Sequence, residues 1–561
     1  MKLLSLHINS NYGNIKKGFK LQFRPFFEKQ VIEQQEILEF HPFCFAGLNG
    51  SGKSNVLEVL ANIFYHIECC ANVNQPQNFQ EIFHPEICKP NAFELEYYIC
   101  LDRDLNYKVE NLVKVKITKK EKTQKDDGFP KLTYQPFPFE EEPIPVSVVA
   151  EKYAEIPAPA KRFLPDLIIG YSSGENEILS IPFFKNRLLH YDEYRIALEK
   201  QARYTEPESS LLYIDYEMSQ AVLLVNLIFQ SNEVLTPLTE ELGILGMTRF
   251  RMNLNLHTHN NRHILDEYHN VIEAFKRCAT TFYEEDHRLT LDFWFDPNGN
   301  MKKAFHKNFP GGIFQLFQSF QILYTLNHHS IKDYIKSDVY QSRGFYTEGK
   351  VPLPEPEDKI FYFLDYFINK KHKNSTEETS LLMKNLSDGE QQFLHTLGIC
   401  LMLKNKSALL LLDEPETHFN PSWRSKFISI LKNSLNYSQS NHLMREILIT
   451  SHSPFIISDC LPNNVVLFDK DETGSTTATK VTDLENSFNT YGTSVELILE
   501  RLFNYDQSIG DLANSELEGI NFEKIKTKAD INEIKTKLKK LGESIEKDMI
   551  LARLNRINLE N

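Results

Sequence analysis

The feature that most constrains the fold of this chain is the segment GLNGSGKS at residues 47–54. It matches the phosphate-binding pattern G-x-x-x-x-G-K-[ST] at every fixed position. Such a loop turns the chain so that successive backbone N–H groups point at one phosphate chain, at the positive end of a helix. The apolar run at 43–46 predicts a buried strand before the loop, and residues 55–65 predict a helix after it. The sequence therefore predicts a nucleotide-binding strand–loop–helix unit, with a glycine loop that holds no nucleotide as the alternative.

The residue types in this loop indicate two tasks. Lys53 is expected to bind the β- and γ-phosphates of ATP, and the Ser54 hydroxyl is expected to ligate Mg²⁺. The glycines allow the backbone to approach the phosphates closely. The predicted ATP-binding residues are Gly47, Asn49, Gly50, Ser51, Gly52, Lys53, Ser54 and Asn55.

A second apolar run, LLLL at 409–412, ends in the two carboxylates Asp413 and Glu414. A buried strand would deliver Asp413 to its tip, where the carboxylate can hold Mg²⁺ through water, and Glu414 can polarise the attacking water. Phosphoryl transfer needs little beyond positioning, a metal ion and charge stabilisation. Leu-rich strands that end in Asp are common, so a purely structural strand is the alternative. The presence of the phosphate-binding loop favours function.

Two further segments end in polar residues. The turn at 386–390 precedes a predicted helix, and a Ser-x-Gly turn at a helix N-terminus is a second phosphate-binding device. The phosphate-binding loop at 47–54 does not need a second phosphate-binding turn for its own nucleotide. The turn at 386–390 is therefore expected to close on the nucleotide of another subunit, with a helix cap that binds no ligand as the alternative. The strand at 447–450 leads to His452, which is expected to sense the γ-phosphate by a hydrogen bond. The residues of the turn are Ser387, Asp388, Gly389 and Glu390.

In this order the four segments resemble the ATP-binding-cassette (ABC) ATPases: Walker A, the signature motif, Walker B with its glutamate, and the switch histidine. The resemblance implies an α/β fold, an ABC-type ATPase head built as a P-loop NTPase with a mixed sheet and flanking helices. It also implies ATP and Mg²⁺ as cofactors and a homodimer of heads, or a higher oligomer, with Ser387 acting in trans. Glu414 and His452 are then the predicted catalytic residues, and Ser54 and Asp413 the predicted metal ligands.

Two details distinguish the chain from transporter subunits. GKSN followed by VLE at 52–58 is similar to SMC and RecF heads, and DEPETHFNP at 413–421 is similar to the overcoming-lysogenization-defect and PtuA-like ATPases. The overall layout most resembles the PtuA-like ATPases of the Septu anti-phage systems, a variant of which serves as an effector in some retrons. The segments YSSG at 171–174 and TYGTS at 490–494 also resemble that group.

The resemblance implies an ATPase subunit that controls a partner HNH nuclease of the PtuB type. That partner would belong to a stand-alone Septu system or to a retron with its reverse transcriptase and RNA–DNA product. No Toprim-like carboxylate cluster follows His452 in the sequence, and no His-Asn-His motif is visible, so cutting is expected from the partner. The alternative is a RecF- or SMC-like ATP-driven clamp that grips DNA in repair. A transporter ATPase fits less well, because 387 − 53 = 334 residues separate Lys53 from Ser387.

Some positions depart from the ABC pattern. Asp388 and Glu390 stand where transporter signatures carry Gly and Gln, and their negative charge is expected to slow or regulate hydrolysis. The candidates for the Q-loop glutamine are Gln75, Gln77 and Gln80. A histidine-rich segment invites a metal hypothesis, but polar surface histidines in a loop-rich insertion are the preferred interpretation. These histidines are His257, His259, His263 and His269, together with His328 and His329.

Charge and apolar patterning limit the classes of protein to which the chain can belong. The net charge of −14 argues against nucleic-acid binding over the whole surface, although local basic patches remain compatible with it. No apolar run approaches the roughly 18 residues of a membrane helix, and residues 1–9 have no signal-peptide core. The eight cysteines include no C-x-x-C pair. The chain is therefore predicted to be cytoplasmic, with no membrane partner.

The pattern of elements along the chain predicts four regions. Two short strands around a turn are predicted at 3–8 and 18–23, and alternating residues predict antiparallel strands within 93–117. The charged, Pro-rich stretch 119–165 predicts an exposed, partly flexible loop. A hairpin is predicted from 289–295 and 302–305 around DPNG. The predicted regions are the N-terminal half of the head (1–184), a large, mainly helical insertion (185–345), the C-terminal half of the head (346–505) and a C-terminal helical tail (506–561).

The tail is predicted to be one helix from about residue 523. Five apolar residues are spaced three, four, three and four apart, which makes a seam of the a/d type that Gly542 weakens. Docking of a partner, self-assembly and packing on the head are all open for this seam. The seam residues are Ile531, Ile534, Leu538, Leu541 and Ile545.

Overall fold

The computed structural model divides into two compact units, residues 1–491 and 492–561. The second unit begins earlier than the predicted tail at 506. Among the described helices, none combines the length and the apolar character that a membrane crossing requires. The structure describes residues 1–556 except 28, 34–35, 74, 102–107, 152–155, 174–175, 201–209, 215, 257–264, 266–267, 297, 343–350, 352–353, 356, 372–376, 404–405, 437–442, 506–508 and 526. Gly174, His257, His259 and His263 therefore lie outside the described residues.

The described strands form three sheets. They are β1 (Lys2–Ile8), β2 (Phe19–Gln22), β3 (Phe43–Ala46), β4 (Phe93–Cys100), β5 (Leu112–Lys119), β6 (Lys131–Pro136), β7 (Ile144–Val146), β8 (Ile168–Ser172), β9 (Leu211–Tyr213), β10 (Ile244–Asn255), β11 (Thr281–Glu285), β12 (Arg288–Trp294), β13 (Phe361–Lys371), β14 (Glu378–Leu382), β15 (Ala408–Asp413), β16 (Arg445–Thr450), β17 (Val465–Lys470) and β18 (Thr476–Lys480).

The described α-helices are α1 (Lys29–Glu33), α2 (Lys53–Ala71), α3 (Gln77–Gln80), α4 (Glu177–Glu199), α5 (Ser219–Phe229), α6 (Thr236–Leu242), α7 (His269–Cys278), α8 (Asn300–Asn308), α9 (Gly312–Leu326), α10 (Asp333–Gln341), α11 (Asp388–Met402), α12 (Pro421–Asn436), α13 (Pro454–Ser458), α14 (Val495–Phe503), α15 (Asp511–Glu518), α16 (Lys528–Leu538) and α17 (Ile545–Asn555). The α-helices of the first unit, α1 to α13, flank these sheets, and those of the second unit are α14 to α17.

The central sheet has seven strands in the order β18-β17-β3-β16-β15-β8-β9. All neighbours are parallel except β18, which is antiparallel to β17. Strand β15 is buried at all six positions, as its unbroken apolar run predicts for a parallel strand covered on both faces. The predicted mixed sheet of a P-loop NTPase with flanking helices is thereby confirmed.

A six-stranded antiparallel sheet, β2-β1-β4-β5-β6-β7, lies beside the central sheet. The predicted strands of residues 3–8, 18–23 and 93–117 belong to it. The stretch 119–165, predicted as an exposed loop, instead supplies β6 and β7, so that prediction is wrong for these strands. Its prolines are compatible with the sheet because Pro136 ends β6 and Pro145 lies in β7 at the sheet edge, where a missing N–H breaks no interior ladder.

A five-stranded antiparallel sheet, β11-β12-β10-β13-β14, is formed by residues 244–382. The predicted hairpin around DPNG is wrong, because residues 302–305 lie in α8. Strand β12 pairs with β11 through a turn at Asp286 and His287, which both have positive φ. Asp and His tolerate that conformation, so this turn has no glycine signal. Asp296 instead accepts a hydrogen bond from the Met301 amide in the first turn of α8, at 3.2 Å.

The main hydrophobic core joins both larger sheets around α2, the helix that follows the phosphate-binding loop. Of its 19 residues, 16 are buried. The core cluster contains residues of β1, β4 and β5 on one side and of β3, β15 and β16 on the other. Since α2 is enclosed by these strands, its N-terminus and the loop before it have a fixed position at the end of β3.

The predicted insertion, 185–345, is mainly helical, with α5 to α10 and most of α4. It also contains strands that the prediction lacked, since β9 joins the central sheet and β10 to β12 join the five-stranded sheet. The boundaries at 184, 345 and 505 stay a prediction.

In the C-terminal unit, the described part of the chain after residue 523 forms two α-helices where one was predicted. Helix α16 ends at Leu538, and α17 begins at Ile545 after Ser544, whose side chain accepts a hydrogen bond from the Lys547 amide. The predicted seam holds as far as Leu541, but Ile545 is 70% exposed and does not belong to it. Gly542 and the capping serine explain the break, because both favour the end of one helix and the start of another.

Glu193 on α4 carries a buried carboxyl, so the pH dependence of stability tests how this helix is packed. Burial raises the pKa of its carboxyl to about 8, with Lys161 opposing the shift and Asp192 adding to it. An unfolded chain would release this proton near pH 4.3. Stability is therefore lost as the pH rises from about 4.3 to 8, because the native state holds a proton that the unfolded state releases.

Glu193→Gln should remove this pH dependence. Its advantage in stability over the wild type should grow between pH 5 and 8, level off above pH 8, and amount to about 4 kcal/mol across that range. Fluorescence of Trp294 and Trp423, the two tryptophans of the chain, follows unfolding of the first unit alone. Glu199→Gln, at an exposed position on the same helix, is the control and should change nothing. An advantage that does not vary with pH would contradict the prediction.

Candidate nucleotide-binding site

The loop at 47–54, Asp413, Glu414 and His452 come together at the carboxyl ends of three neighbouring parallel strands, β3, β15 and β16. The phosphate-binding loop follows β3, Asp413 and Glu414 stand at the end of β15, and His452 follows β16. The carboxyl edge of a parallel sheet is where α/β proteins bind ligands. Residues that are hundreds of positions apart in the chain thereby share one site.

The loop requires glycine at two of its positions. Gly47 has φ 141°, and a Cβ there would lie 2.2 Å from the carbonyl oxygen of Phe468. Gly52 has φ 100°, and its Cβ would lie 2.6 Å from the Thr476 hydroxyl. That hydroxyl also donates to the carbonyl of Ser51 at 2.9 Å, so β17 and β18 support the loop from behind. At these two positions the loop therefore has space for glycine and for no larger residue.

Lys53, the first residue of α2, is buried under this cradle. Its Nζ donates to the carbonyl oxygens of Gly47 at 2.9 Å and Leu48 at 3.1 Å, and lies 3.1 Å from His452 Nε2. Burial lowers the pKa of the Lys53 ammonium, and the carboxylates of Glu414 and Asp413 oppose that shift. The lysine is thereby held within the loop, at the position from which the motif predicts contact with phosphate.

Asp413 accepts hydrogen bonds from side chains at or just after the ends of three other strands, β3, β16 and β8. Its Oδ1 accepts from Ser54 Oγ and Thr450 Oγ1, both at 2.7 Å, and its Oδ2 accepts from Asn176 Nδ2 at 2.7 Å. A carboxylate beside a serine hydroxyl is the oxygen donor set that Mg²⁺ prefers in proteins. The chemistry of Ser54 and Asp413 therefore fits a magnesium ion at the foot of a bound triphosphate.

Asn176 is a site residue that the sequence did not reveal. It caps the N-terminus of α4, since its Oδ1 accepts from the Leu179 amide at 3.2 Å, and its Nδ2 also lies 3.4 Å from Glu58 Oε1. The Q-loop candidates lie elsewhere: Gln77 and Gln80 are in α3, and Gln75 donates to the Cys69 carbonyl near the end of α2. Helix α2 is about 28 Å long, so these glutamines lie far from the loop at its start.

Glu414 faces His452 across the ends of β15 and β16. Its Oε1 lies 2.9 Å from His452 Nε2, and the hydrogen bond from His452 lowers the pKa of the carboxyl while burial opposes that effect. The backbone of Glu414 has φ 48°, and its N–H donates to the Thr450 carbonyl at 3.2 Å and hydroxyl at 3.0 Å. The charge of Lys53 also lowers this pKa, so the Glu414 carboxylate lies near the lysine of the loop.

The predicted turn at 386–390 is a helix cap exposed at the surface. Ser387 and Glu390 form a reciprocal capping box at the start of α11, and Lys370 pairs with Glu390. A Cβ on Gly389 would lie 2.6 Å from the His418 carbonyl oxygen, so the segment that follows Walker B packs against this turn. The ion pair with Lys370 offsets the negative charge that Glu390 was predicted to bring.

The remaining predicted residues differ in their placement. Asn55 donates to Glu58 Oε2 at 2.7 Å and accepts from the Asn14 amide at 3.2 Å, so it ties the start of α2 to the loop between β1 and β2. Asn49 and Gly50 are exposed at the tip of the loop. His328 and His329 are half-buried where surface histidines were predicted, and burial lowers the pKa of His328 to about 3.

Comparison with known proteins agrees with this geometry in part. The family model described as "AAA domain, putative AbiEii toxin, Type IV TA system" matches residues 257–458, which contain the signature turn, Walker B and His452 but not Walker A. The Septu protein PtuA of Bacillus thuringiensis is 27% identical over 106 residues, or 19% of this chain. That match spans 24% of the relative's own length.

The chain is similar to a solved structure, the SmcHead bound to the C-winged helix domain of ScpA. The match covers 87% of this chain and 99% of the chain in that structure. Its sequence identity is 11% and its TM-score is 0.32. The partial family match, the parallel sheet with its P-loop and the order of the motifs agree with one another. The chain therefore has the fold and the motif order of an ABC-type P-loop ATPase.

Proposed function

We propose that this chain binds and hydrolyses ATP with Mg²⁺. The observation that supports this most is the convergence of Lys53, Ser54, Asp413, Glu414 and His452 at one edge of the central sheet. Lys53 and the loop amides would bind the phosphates, and Ser54 and Asp413 would hold the metal ion. Magnesium supplies charge neutralisation to the transferring phosphoryl group when it is bound.

Within this site the carboxylate of Glu414 would orient and deprotonate the attacking water. His452 lies within hydrogen-bond reach of both Glu414 and Lys53, the residues that flank the expected position of the γ-phosphate. Hydrolysis could therefore change the contacts of His452 directly. Thr450 and Asn176 would hold Asp413 in orientation from both sides of its carboxylate.

We further propose that two heads act together. Ser387 and Asp388 are exposed at the N-terminus of α11, whose amide dipoles attract anions. A turn exposed in this way can reach the nucleotide of a second head. The functional unit would be a homodimer, or a higher oligomer, with Ser387 of one head closing on the ATP of the other.

The finer proposal is that the ATPase is a subunit of a bacterial anti-phage defence complex and controls a partner nuclease. The partial similarity to the Septu protein PtuA supports it. The partner would be an HNH nuclease of the PtuB type, acting in the cytoplasm. ATP bound at the heads would hold that nuclease inactive or position it.

The test is a pull-down of the chain expressed from its native locus, with bound proteins and nucleic acids identified in one sample. An HNH nuclease should co-purify with the wild type, with or without a reverse transcriptase and its RNA–DNA product. Lys53→Ala is the matched control for nucleotide dependence, since it removes the loop's phosphate-binding charge. A chain that purifies alone, or with DNA released by moderate salt, would contradict the partner and favour a DNA clamp.

A further inference from the structure

Glu416 is a buried carboxyl that the proposed chemistry does not use. The residue is 4% exposed and stands two positions after Glu414, in the segment that leaves β15. Its Oε1 accepts a hydrogen bond from the Ser451 hydroxyl. Within the part of the chain that the structure describes, its Oε2 has no hydrogen-bond partner. Burial raises the pKa of this carboxyl to about 7, so the site accepts a neutral group.

The partner of Glu416 holds the turn that carries His452. Ser451 is fully buried, and its amide donates to the Phe45 carbonyl of β3 at 3.1 Å. Its hydroxyl donates to Glu416 and accepts from the Ser453 amide at 2.9 Å. One hydroxyl therefore ties both sides of His452 to the Walker B segment.

Three successive residues, the last of β16 and the two that follow it, contact the Walker B segment. Thr450 bonds to Asp413 and to the amide of Glu414, Ser451 bonds to Glu416, and His452 faces Glu414. Thr450 and Ser451 are both fully buried, whereas His452 is partly exposed at the side where a nucleotide would bind. The bond between Ser451 and Glu416 is shielded from water, which strengthens it relative to an exposed hydrogen bond. Together with the equally buried bond from Thr450 to Asp413, it holds the segment before His452 on the Walker B segment.

We propose that Glu416 is a positioning residue that acts through Ser451. It fixes the backbone of residues 451–453 so that the His452 imidazole faces Glu414 and Lys53. The assignment rests on the proposed ATP hydrolysis, because it gives Glu416 a role in that reaction. Glu416 touches neither nucleotide nor metal, so its loss affects turnover more than binding.

The primary test is Ser451→Ala, which removes the hydroxyl and adds no atoms. The kcat for ATP should fall at least about tenfold, the lower range for displacement of one positioned group, with KM changed less than twofold. Glu416→Ala should have the same effect, and Glu416→Gln should restore most activity because its amide oxygen still accepts from Ser451. Ser434→Ala is the matched control, since Ser434 is equally buried on α12 and its hydroxyl has no partner among the described residues.

A double-mutant cycle separates positioning from general damage. If Ser451 acts through His452, Ser451→Ala should cost nothing further in a His452→Ala background. Additive losses, or a rise in KM with kcat unchanged, would overturn the proposal.

A second readout needs no turnover. Hydrogen exchange at the Ser453 amide should accelerate in Ser451→Ala and in Glu416→Ala, with exchange elsewhere in the first unit unchanged. Unchanged exchange at Ser453 would overturn the positioning role. Absence of ATP hydrolysis in the wild type would overturn the proposed function instead, and the exchange result would still decide whether Glu416 holds this turn.

Discussion

ATP turnover should fall by about 10²- to 10³-fold when Glu414 is replaced by glutamine, and ATP binding should be retained. The amide oxygen can still accept a hydrogen bond at the position of Oε1, 2.9 Å from His452, so the geometry of the switch residue is preserved. The amide cannot take a proton from water, which is the task proposed for Glu414. Lys53, Ser54 and Asp413, the proposed ligands of the phosphates and the metal ion, are unchanged.

The measurement pairs single-turnover hydrolysis with equilibrium binding of labelled ATP. The variant should also accumulate an ATP-dependent dimer in size-exclusion chromatography, because trapped ATP keeps the heads together. Glu285→Gln on the exposed strand β11 makes the same chemical change away from the site and should behave as the wild type. Wild-type turnover in Glu414→Gln would remove Glu414 from the mechanism, and loss of ATP binding would show that the residue shapes the site instead.

The parts of this site that were predicted from the sequence are those with local signals. The loop at 47–54 must be glycine-rich because its backbone passes within contact distance of β17 and β18, and a glycine pattern is visible without knowing those neighbours. An apolar run that ends in Asp413 and Glu414 similarly shows both its burial and its polar tip. The order of such segments along the chain was sufficient to predict the fold class.

Asn176 and Thr450 could not be predicted in the same way. Their roles depend on the order of strands, since β8 and β16 must lie on either side of β15 before both residues reach Asp413. Asn176 reads as an ordinary helix cap in the sequence, and Thr450 as an ordinary strand residue. Glutamines after α2 were considered because of the family pattern, whereas the structure places an asparagine after β8 beside Asp413, the proposed metal ligand.

The errors in the predicted fold arose where one sequence signal is compatible with two local structures. Prolines in 119–165 indicated a loop, although an edge strand such as β7 tolerates proline. DPNG indicated a hairpin turn, but Asp296 bonds within the first turn of α8, and the turn of the hairpin is formed by Asp286 and His287. In the C-terminal unit a regular seam continued past Gly542, although Ser544 starts a new helix there.

The largest loss of stability should follow Arg24→Met, at about 3–5 kcal/mol for unfolding of the first unit. Arg24 pairs with Glu446, a residue of β16 that is 1% exposed. The guanidinium bonds to both carboxylate oxygens, and the Leu3 amide donates to Oε2 at 2.8 Å. This cluster joins β1 of the six-stranded sheet to β16 of the central sheet, so the variant leaves a buried carboxylate between the sheets.

The pH dependence identifies the cause. Burial alone would raise the pKa of Glu446, but the charges of Arg24 and Lys2 and the hydrogen bonds hold it below its ordinary value. The ion pair therefore stabilises the wild type above about pH 4.3, the unfolded value, and this contribution is lost as the pH falls through the folded pKa. Without Arg24 the carboxyl can take a proton at higher pH. The difference between wild type and Arg24→Met should thus be largest near pH 7 and smaller at pH 4 to 5.

Urea unfolding followed by tryptophan fluorescence measures this difference in the first unit. Adding Glu446→Gln to Arg24→Met should recover part of the stability, because the buried charge is removed together with its partner. Lys29→Met breaks an exposed pair with Glu33 in the same unit and should change little, since solvent screens such pairs. A loss in Arg24→Met that is the same at pH 4 and pH 7, with no recovery in the double variant, would show that Arg24 stabilises the sheets by packing and not by its charge.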